Sequence, residues 1–184
     1  TLFFIILSTN LYASNIKKVY FAGGCFWCME ESFDKIEGVI ETISGYSGGH
    51  VKNPKYKDVV KNTTGHYETL EITYDPSITN FEKLLEIFWV NIDPFDADGQ
   101  FCDKGESYKS VVFYENSDQK KIIETSIKNI ENKFNKKVVT YVKNFKEFYM
   151  AETYHQDYYE KNFIRYLMYK KGCQREEVLN KIWG

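Results

Sequence analysis

Apolar and polar residues follow one another along this chain in short patterns that predict alternating β-strands and helices. Strand spacing is clearest over residues 67–74, where Leu70 and Ile72 share one side and Glu71 lies on the other. Helical spacing begins at Phe26, directly after Gly23 and Gly24. The predicted strands cover about 18–22, 39–46, 67–74, 109–114 and 138–142. The first predicted helix begins at 26, and four further helices are predicted over about 80–91, 118–134, 156–169 and 175–182.

The order of these elements, β-α-β-β-α-β-α-β, contains a split βαβ arrangement. It predicts an α+β fold, a two-layer sandwich with a mixed β-sheet and a ferredoxin-like βαββαβ core. No repeat or low-complexity run divides the chain of 184 residues, so we expect a single domain over residues 15–184. Residues 93–105 lack hydrophobic periodicity and predict a long loop, of the kind that is often functional.

The first residues form a separate segment. An apolar run from Leu2 to Leu7 is followed by small and polar residues up to Ser14, which is typical of a secretory h-region and its cleavage site. We therefore expect residues 1–14 to be the remnant of a secretory signal peptide and the protein to be periplasmic or secreted. The alternative is a cytoplasmic protein that begins with a strand-like or amphipathic segment. This stretch is too short to span a bilayer, so no stable membrane association of the mature chain is expected.

Charge and composition limit the classes of molecule that the protein is expected to bind. A formal net charge of -2 gives no field of one sign, so neither nucleic acid nor an anionic membrane is an expected partner, and small or peptidic substrates fit better. The chain has 15 Tyr, and some of these rings are expected to line a pocket. We expect a monomer.

Cys25 is the strongest candidate for chemistry. It stands where the first helix begins, among unpaired backbone N–H groups that favour a thiolate, and it forms a Cys-X-X-Cys motif with Cys28. Two structural disulfides remain an alternative for an exported chain with four Cys. Zinc is disfavoured because Cys102 and Cys173 are isolated and no His stands at ligand spacing from them, so no metal is expected.

A family resemblance adds to this interpretation. Residues 23–30, Gly-Gly-Cys-Phe-Trp-Cys-Met-Glu, resemble the active-site motif of class A peptide methionine sulfoxide reductases. Six further blocks match in order and extend the resemblance to the C-terminal part of the chain. These are Gly-Tyr-Ser-Gly-Gly (45–49), Asn-Pro-Lys-Tyr (53–56), Gly-His-Tyr-Glu (65–68), Phe-Trp (88–89), Cys-Asp-Lys-Gly (102–105) with Tyr108, and Ala-Glu-Thr-Tyr-His-Gln (151–156).

The resemblance implies a peptide-methionine (S)-S-oxide reductase. Such an enzyme reduces methionine S-sulfoxide, in proteins and as the free amino acid, through a sulfenic acid on Cys25 and then a disulfide, and thereby repairs oxidative damage. It binds no cofactor, and thioredoxin or a thioredoxin-like dithiol reduces it. Glu68, kept protonated by burial, would be the acid. The remaining implied site residues are Phe26 and Trp27 around the methyl group, Tyr56 and Tyr108 at the sulfoxide oxygen, and Asp103 as an orienting group.

The resolving cysteine is left open between three candidates. Cys28 is favoured because residue i+3 of a helix lies on nearly the same face as residue i. Cys102, beside Asp103 in the long loop, is second. Cys173 is third, since it requires the C-terminal segment to fold across the site, for which the sequence gives no support. The family's usual resolving cysteines in a Gly-rich tail have no counterpart here.

Other residues of the matching blocks receive no chemical role. His66 and His155 are expected to be structural hydrogen bonders in local turns, and Met29 and the Phe88-Trp89 pair are expected in the core. Two other functions stay open. A dithiol electron carrier would use Cys25 and Cys28, although none of the three Pro residues suits the cis-Pro loop of such domains, and a non-enzymatic module would bind methionine-bearing peptides.

Overall fold

The computed structural model describes residues 15–184, so the expected signal-peptide remnant over 1–14 lies outside the described residues. The strands are β1 (Lys17–Ala22), β2 (Val39–Ser47), β3 (Tyr67–Tyr74), β4 (Gly99–Gln100), β5 (Asp103–Lys104), β6 (Val111–Tyr114), β7 (Tyr141–Asn144) and β8 (Phe148–Met150). The helices are α1 (Phe26–Phe33), α2 (Tyr56–Val59), α3 (Phe81–Val90), α4 (Ser117–Phe134), α5 (Tyr158–Lys161), α6 (Phe163–Gly172) and α7 (Arg175–Trp183).

Six strands form one sheet in the order β7-β6-β1-β3-β2-β8. Its central strands, β6-β1-β3-β2, are all antiparallel, which is the arrangement of a ferredoxin-like βαββαβ core. The crossover through α4 makes β7 parallel to β6, and β8 pairs antiparallel with β2 at the other edge. The predicted α+β fold with a mixed sheet is confirmed.

The central strand β3 is buried along its whole length. Leu70 and Ile72 face α1 and α3, where they pack against Phe33 and Phe88 in the largest core cluster. Residues Phe145 and Phe148 cover part of the opposite face of the sheet. The two covered faces leave β3 without a solvent side, so a polar side chain on this strand is removed from water.

Most predicted elements are present with small shifts. Asn80 and Asn116 cap α3 and α4 through their side-chain oxygens, which explains why these helices begin where the sequence predicts. The strand expected at 138–142 is displaced to 141–144, and the helix expected at 156–169 is divided at Asn162 into α5 and α6. The sequence missed α2 and β8. Among the described residues, none of the helices has the length and apolar character that a membrane span requires.

The loop over 93–105 is ordered rather than open. Gln100 is buried and closes it, since its amide donates to the carbonyl of Asp93 and its Oε1 accepts from the Asp93 N–H, both at 2.8 Å. Strands β4 and β5 form a short hairpin within it. The loop thereby holds the segment 102–105 in one position beside the start of α1.

Candidate active site

A glycine turn delivers Cys25 to the start of α1. Gly24 has φ +80°, and a Cβ added there would meet the buried Gln100 side chain, so both backbone conformation and space require glycine. Cys25 is the N-cap of α1, and its carbonyl accepts from the N–H of Cys28 at 3.1 Å. The predicted strand, turn and helix are confirmed at this position.

Cys25 and Cys28 are free thiols that lie in one buried cluster. Burial raises the pKa of Cys25 well above its ordinary value, and the hydrogen bond to Cys28 adds to the rise. That hydrogen bond lowers the pKa of Cys28 to about 7, with help from the charge of Arg175. The helix start was expected to favour a thiolate on Cys25, and burial of this thiol acts in the opposite direction because it disfavours the charged form.

Glu68 lies beside the same helix start. Its Oε2 accepts from the backbone N–H of Phe26 at 3.1 Å, and the residue is 2% exposed. Burial raises the pKa of Glu68 well above its ordinary value, and the Phe26 hydrogen bond opposes this only in part. Burial thus favours the protonated form of this carboxyl, in the place that the sequence assigns to an acid.

Two tyrosine hydroxyls complete this side of the site. The Tyr108 hydroxyl lies close to the Tyr56 hydroxyl and to the carboxyl of Glu68. Burial raises the pKa of Tyr56 to about 12 and that of Tyr108 further still, so both hydroxyls keep their protons. Three protonated oxygens therefore meet beside Cys25.

The two aromatic residues after Cys25 point in different directions. Phe26 is 1% exposed and packs with Tyr46 in a core cluster, whereas Trp27 is half-buried. The Trp27 ring stacks on Tyr158 with centroids 3.8 Å apart, and Tyr169 meets it edge-on at 5.9 Å. Trp27 is thus the more accessible aromatic wall, and Phe26 supports it from the core.

His155 fixes the orientation of Trp27. The indole Nε1–H donates to its Nδ1 at 3.2 Å, and burial lowers the pKa of His155 to about 4, so the imidazole is neutral and free to accept. This contact joins residues 128 positions apart, so His155 is a structural hydrogen bonder within the local turn, as expected, and also beyond it. His66 does bond locally, to the Gly49 N–H and the Val51 carbonyl.

The block 151–156 is bound to β2 by buried polar contacts. Gln156 bonds to both backbone groups of Ser44, at 2.9 Å each. Glu152 accepts from the Tyr46 hydroxyl at 2.9 Å and from the backbone N–H of Tyr56 at 3.0 Å. Although this block lies about 100 residues after β2 in the sequence, these bonds hold His155 and Tyr56 at the site.

The C-terminal helices also contribute to the site, which the sequence did not predict. Tyr166 packs with Cys28, and its hydroxyl donates to the Glu31 carboxylate at 2.6 Å, whereas the Tyr169 hydroxyl donates to Asp103. Arg175 is 4% exposed, and its guanidinium donates to the Asn91 carbonyl and contacts Met29 Sδ at 3.6 Å. The signal available was the spacing of the tyrosines on α6, but that spacing is also typical of ordinary core packing.

Cys102 and Cys173 are joined by a disulfide, with Cα atoms 4.9 Å apart across 71 residues. The C-terminal segment therefore does fold back towards the site, for which the sequence offered no support: α6 packs against Cys25 and Cys28 and ends at Gly172, directly before Cys173. Asp103, beside Cys102, has its pKa raised by burial, while Tyr169 and Arg175 oppose the rise. The Asp103 carboxylate lies within 4.8 Å of both sulfurs, but bridged sulfurs are not thiolate ligands for a metal.

The residues together form a buried thiol site built for redox chemistry on a ferredoxin-like sheet. A family model described as peptide methionine sulfoxide reductase matches residues 17–184. The chain is 48% identical over 166 residues to MsrA of Bacillus licheniformis, covering 89% of this chain and 92% of the relative. It is 47% identical over 165 residues to MsrA 2 of Staphylococcus aureus, covering 89% and 93%.

A solved structure agrees with these relatives. Mxr1 from Saccharomyces cerevisiae in its reduced form is 29% identical, with a TM-score of 0.74 over 80% of this chain and 86% of Mxr1. Mxr1 has also been solved in complex with Trx2. The present chain belongs to the peptide methionine sulfoxide reductase family.

Proposed function

We propose that this protein reduces methionine S-sulfoxide, in peptides and as the free amino acid, to methionine. The observation that carries the proposal is the meeting of a buried cysteine with a protonated carboxyl at one helix start, where Glu68 accepts from the N–H of the residue next to Cys25. Sulfoxide reduction needs a sulfur nucleophile and a proton for the departing oxygen at one point in space. The names of the relatives support this reaction.

The chemistry begins with the cysteine pair. Cys28, as the thiolate of the resting pair, takes the proton from Cys25 when substrate arrives, and Cys25 attacks the sulfoxide sulfur. Glu68 protonates the oxygen with support from the Tyr56 and Tyr108 hydroxyls, and Trp27 contacts the methyl group. The S–O bond breaks, and the departing oxygen then attacks the Cys25 sulfur. The bond between Cys25 and the methionine sulfur breaks with its electron pair on methionine, which leaves Cys25 as a sulfenic acid.

Cys28 then resolves the sulfenic acid. Its thiol attacks the oxidised sulfur of Cys25, and the step forms a Cys25–Cys28 disulfide and releases water. The packing of the two free thiols in one buried cluster supports this assignment over Cys102 and Cys173, whose sulfurs are joined to each other. A dithiol protein of the thioredoxin type supplies the two electrons that restore the thiols.

Separate assays on the S and R epimers of a blocked methionine sulfoxide, with dithiothreitol, test the proposal. We expect turnover of the S epimer alone, and its loss to below a hundredth in Cys25→Ser, because a hydroxyl is a far weaker nucleophile at neutral pH. Cys173→Ser serves as the matched control, since it removes a sulfur outside the proposed reacting pair. Reduction of only the R epimer, or full activity in Cys25→Ser, would contradict the proposal.

A further inference from the structure

The outer edge of β2 is only partly covered. Strand β8 pairs with residues Gly45–Ser47, and the preceding Ser44 has its backbone N–H and carbonyl bound by the Gln156 side chain. Over residues 39–43, no described strand pairs with this edge. Backbone groups of a strand point alternately to its two neighbours, so the N–H and C=O of Thr42 face the same outer edge as those of Ser44. Strand β2 therefore keeps a short unpaired edge.

A groove of about 430 Å³ runs along this edge. All five residues from Val39 to Ile43 line it, and Met150 lies on its other side. Successive side chains of a strand point to opposite faces, so a groove lined by both Glu41 and Thr42 has the strand edge itself as its floor. Ile40 is 54% exposed and Met150 is 65% exposed, so part of the rim is apolar. This shape fits an extended polypeptide.

Every ionisable side chain that lines the groove is acidic, namely Asp34, Glu41 and Asp157. Glu41 is exposed and forms no ion pair with another described residue, whereas Asp157 pairs with Lys161 at 2.8 Å. Burial raises the pKa of Asp34, and the charges of Asp157 and Glu160 add to the rise, although hydrogen bonds from two hydroxyls oppose it. The groove thus holds an excess of negative charge and favours a cationic occupant.

A fourth carboxyl lies inside the molecule close to two of these acids. Glu30 is 0% exposed, and neither of its oxygens makes a hydrogen bond of normal geometry within the described part of the chain. Burial raises the pKa of Glu30 to about 8, and the charges of Asp34 and Asp157 contribute to the rise. Among the described residues, these acids do not form a group that could hold a metal ion. Basic side chains in the groove would therefore relieve a repulsion that the chain itself leaves uncompensated.

Strand β2 leads from the groove to the active site. Tyr46, which packs with Phe26, lies four residues after Thr42, which corresponds to about 13 Å along the strand at about 3.3 Å per residue. Gln156 lines the groove, and the adjacent His155 lies at the site. One extended polypeptide can consequently occupy both places, with about five residues between the segment in the groove and the residue that reacts.

We propose that this groove binds an extended segment of the oxidised substrate protein, in which Lys or Arg alternates with apolar residues, as an additional strand on the edge of β2. The backbone of Thr42 pairs with the added strand, its cations meet the acidic rim, and its apolar side chains contact Ile40 and Met150. This inference rests on the proposed function and extends it to the choice of protein substrates. Oxidised methionines about five residues from such a segment are reduced preferentially.

Peptides that differ only in the distal segment test this proposal. Each carries a methionine S-sulfoxide, a spacer of about five Gly and Ser residues, and then Lys-Val-Lys-Val-Lys or Glu-Val-Glu-Val-Glu; a second set places the segment before the methionine. In at least one set we expect a KM about tenfold lower for the basic peptide than for the acidic one, from the sum of several exposed charge pairs. The kcat values should be similar, because the groove does not contact the reacting atoms.

Two charge reversals distinguish the groove from the general field of the protein. Glu41→Lys should abolish the difference in KM between the basic and the acidic peptide. Glu124→Lys makes the same change of charge on the exposed side of α4, outside the groove, and should preserve that difference. N-methylation of either the valines or the lysines removes the N–H donors on one side of the added strand. One of these two modified peptides should lose the low KM, since strand addition requires those donors.

The possible results have distinct meanings. Equal KM values for the basic and acidic peptides, or a preference that survives in Glu41→Lys, would overturn the groove proposal, while turnover of either peptide would still support the proposed function. If no peptide is turned over, the proposed function fails, and the groove is then tested by fluorescence anisotropy with norleucine in place of the sulfoxide. A low KM in both N-methylated peptides would reject strand addition. A dimer in sedimentation that the basic peptide dissociates would assign the edge to a second copy of this chain and also overturn the proposal.

Discussion

The protonation of Glu68 follows from its place on β3. The residue shares a strand face with Leu70 and Ile72, so its carboxyl enters the helix-covered side of the sheet, where burial disfavours charge. The same location brings it to the N–H of Phe26. Strand register at one residue therefore determines both where the acid lies and whether it holds a proton.

Glu68→Gln should separate catalysis from stability. We expect single-turnover reduction at pH 7 to slow by roughly 10²-fold or more, because proton transfer by a positioned acid contributes on that order. The loss should shrink as the pH falls and solvent supplies protons. A rate that is unchanged at every pH would remove Glu68 from the reaction.

Stability should respond with the opposite sign. The folded pKa of Glu68 lies well above its ordinary value of 4.5, so the carboxyl opposes folding increasingly as the pH rises above that value. Glu68→Gln removes this penalty and should be at least as stable as the parent protein at pH 7 in urea unfolding. A less stable variant would show that the slower rate reflects structural damage.

Arg175 places a positive charge inside the molecule near Cys28. Since this charge helps to lower the pKa of Cys28 to about 7, Arg175→Gln should raise it. The pKa of Cys28 is measured in a Cys25→Ser background from the thiolate absorbance at 240 nm as a function of pH, with the Cys102–Cys173 disulfide intact. Arg175→Lys keeps the charge and is the matched control, so an equal pKa in the Gln and Lys variants would exclude an electrostatic role.

At the scale of elements, the sequence predicted those strands and helices whose formation depends on residues close to one another in the chain. The alternation over 67–74 and the caps at Asn80 and Asn116 are encoded within a few residues, and β3, α3 and α4 were predicted closely. Strand β8 has only three residues and exists because β2 offers an edge to it. Such an element has no periodicity of its own, so the sequence alone did not show it.

The site residues divide in the same way, into those that a short motif predicts and those that long-range packing brings to the site. Cys25, Cys28 and Glu68 stand in short motifs that fix their chemistry, and the structure brings them together. The pairing of Cys102 with Cys173 and the approach of Tyr166 to Cys28 depend on how α6 packs, which is decided by contacts over 71 residues or more. The opposing effect of burial on the pKa of Cys25 could not be predicted from the motif for a similar reason, because burial is a tertiary property.

The pairing of β8 with β2 depends on Gly45. A Cβ at this position would overlap the Phe148 ring and the Tyr149 carbonyl, so Gly45→Ala should push β8 from the sheet edge. Overpacking of this kind costs about 1–3 kcal/mol. Since β8 leads into the block that holds His155 and Trp27, activity should fall as well.

Urea unfolding and turnover with dithiothreitol measure both effects of Gly45→Ala. Gly172→Ala is the matched control, because a Cβ there meets nothing within 4 Å, and it should leave stability within about 1 kcal/mol of the parent value. If Gly45→Ala behaves like this control, β8 does not position the site.

At the scale of the whole molecule, the Cys102–Cys173 disulfide joins the loop over 93–105 to the end of α6. It closes a segment of 71 residues, for which the chain-entropy model gives about 4 kcal/mol of stabilisation through the unfolded state. For a domain of this size, a loss of that order lowers the midpoint of thermal unfolding by roughly 8–16 °C. Reduction of the Cys102–Cys173 disulfide should therefore lower the stability of the protein.

Thermal unfolding of the oxidised and the reduced protein tests this coupling, followed by circular dichroism without oxygen. We expect the lower midpoint in the reduced sample. The Cys102→Ser/Cys173→Ser variant should unfold near that lower midpoint under both conditions, since it lacks the cross-link in either. Reduction also acts on any bridge between Cys25 and Cys28. This variant therefore shows whether the redox state of these two cysteines shifts the unfolding midpoint as well. Equal midpoints for the oxidised and reduced parent protein would mean that the bridge contributes nothing to stability, and that α6 is held against the site by its tyrosine contacts alone.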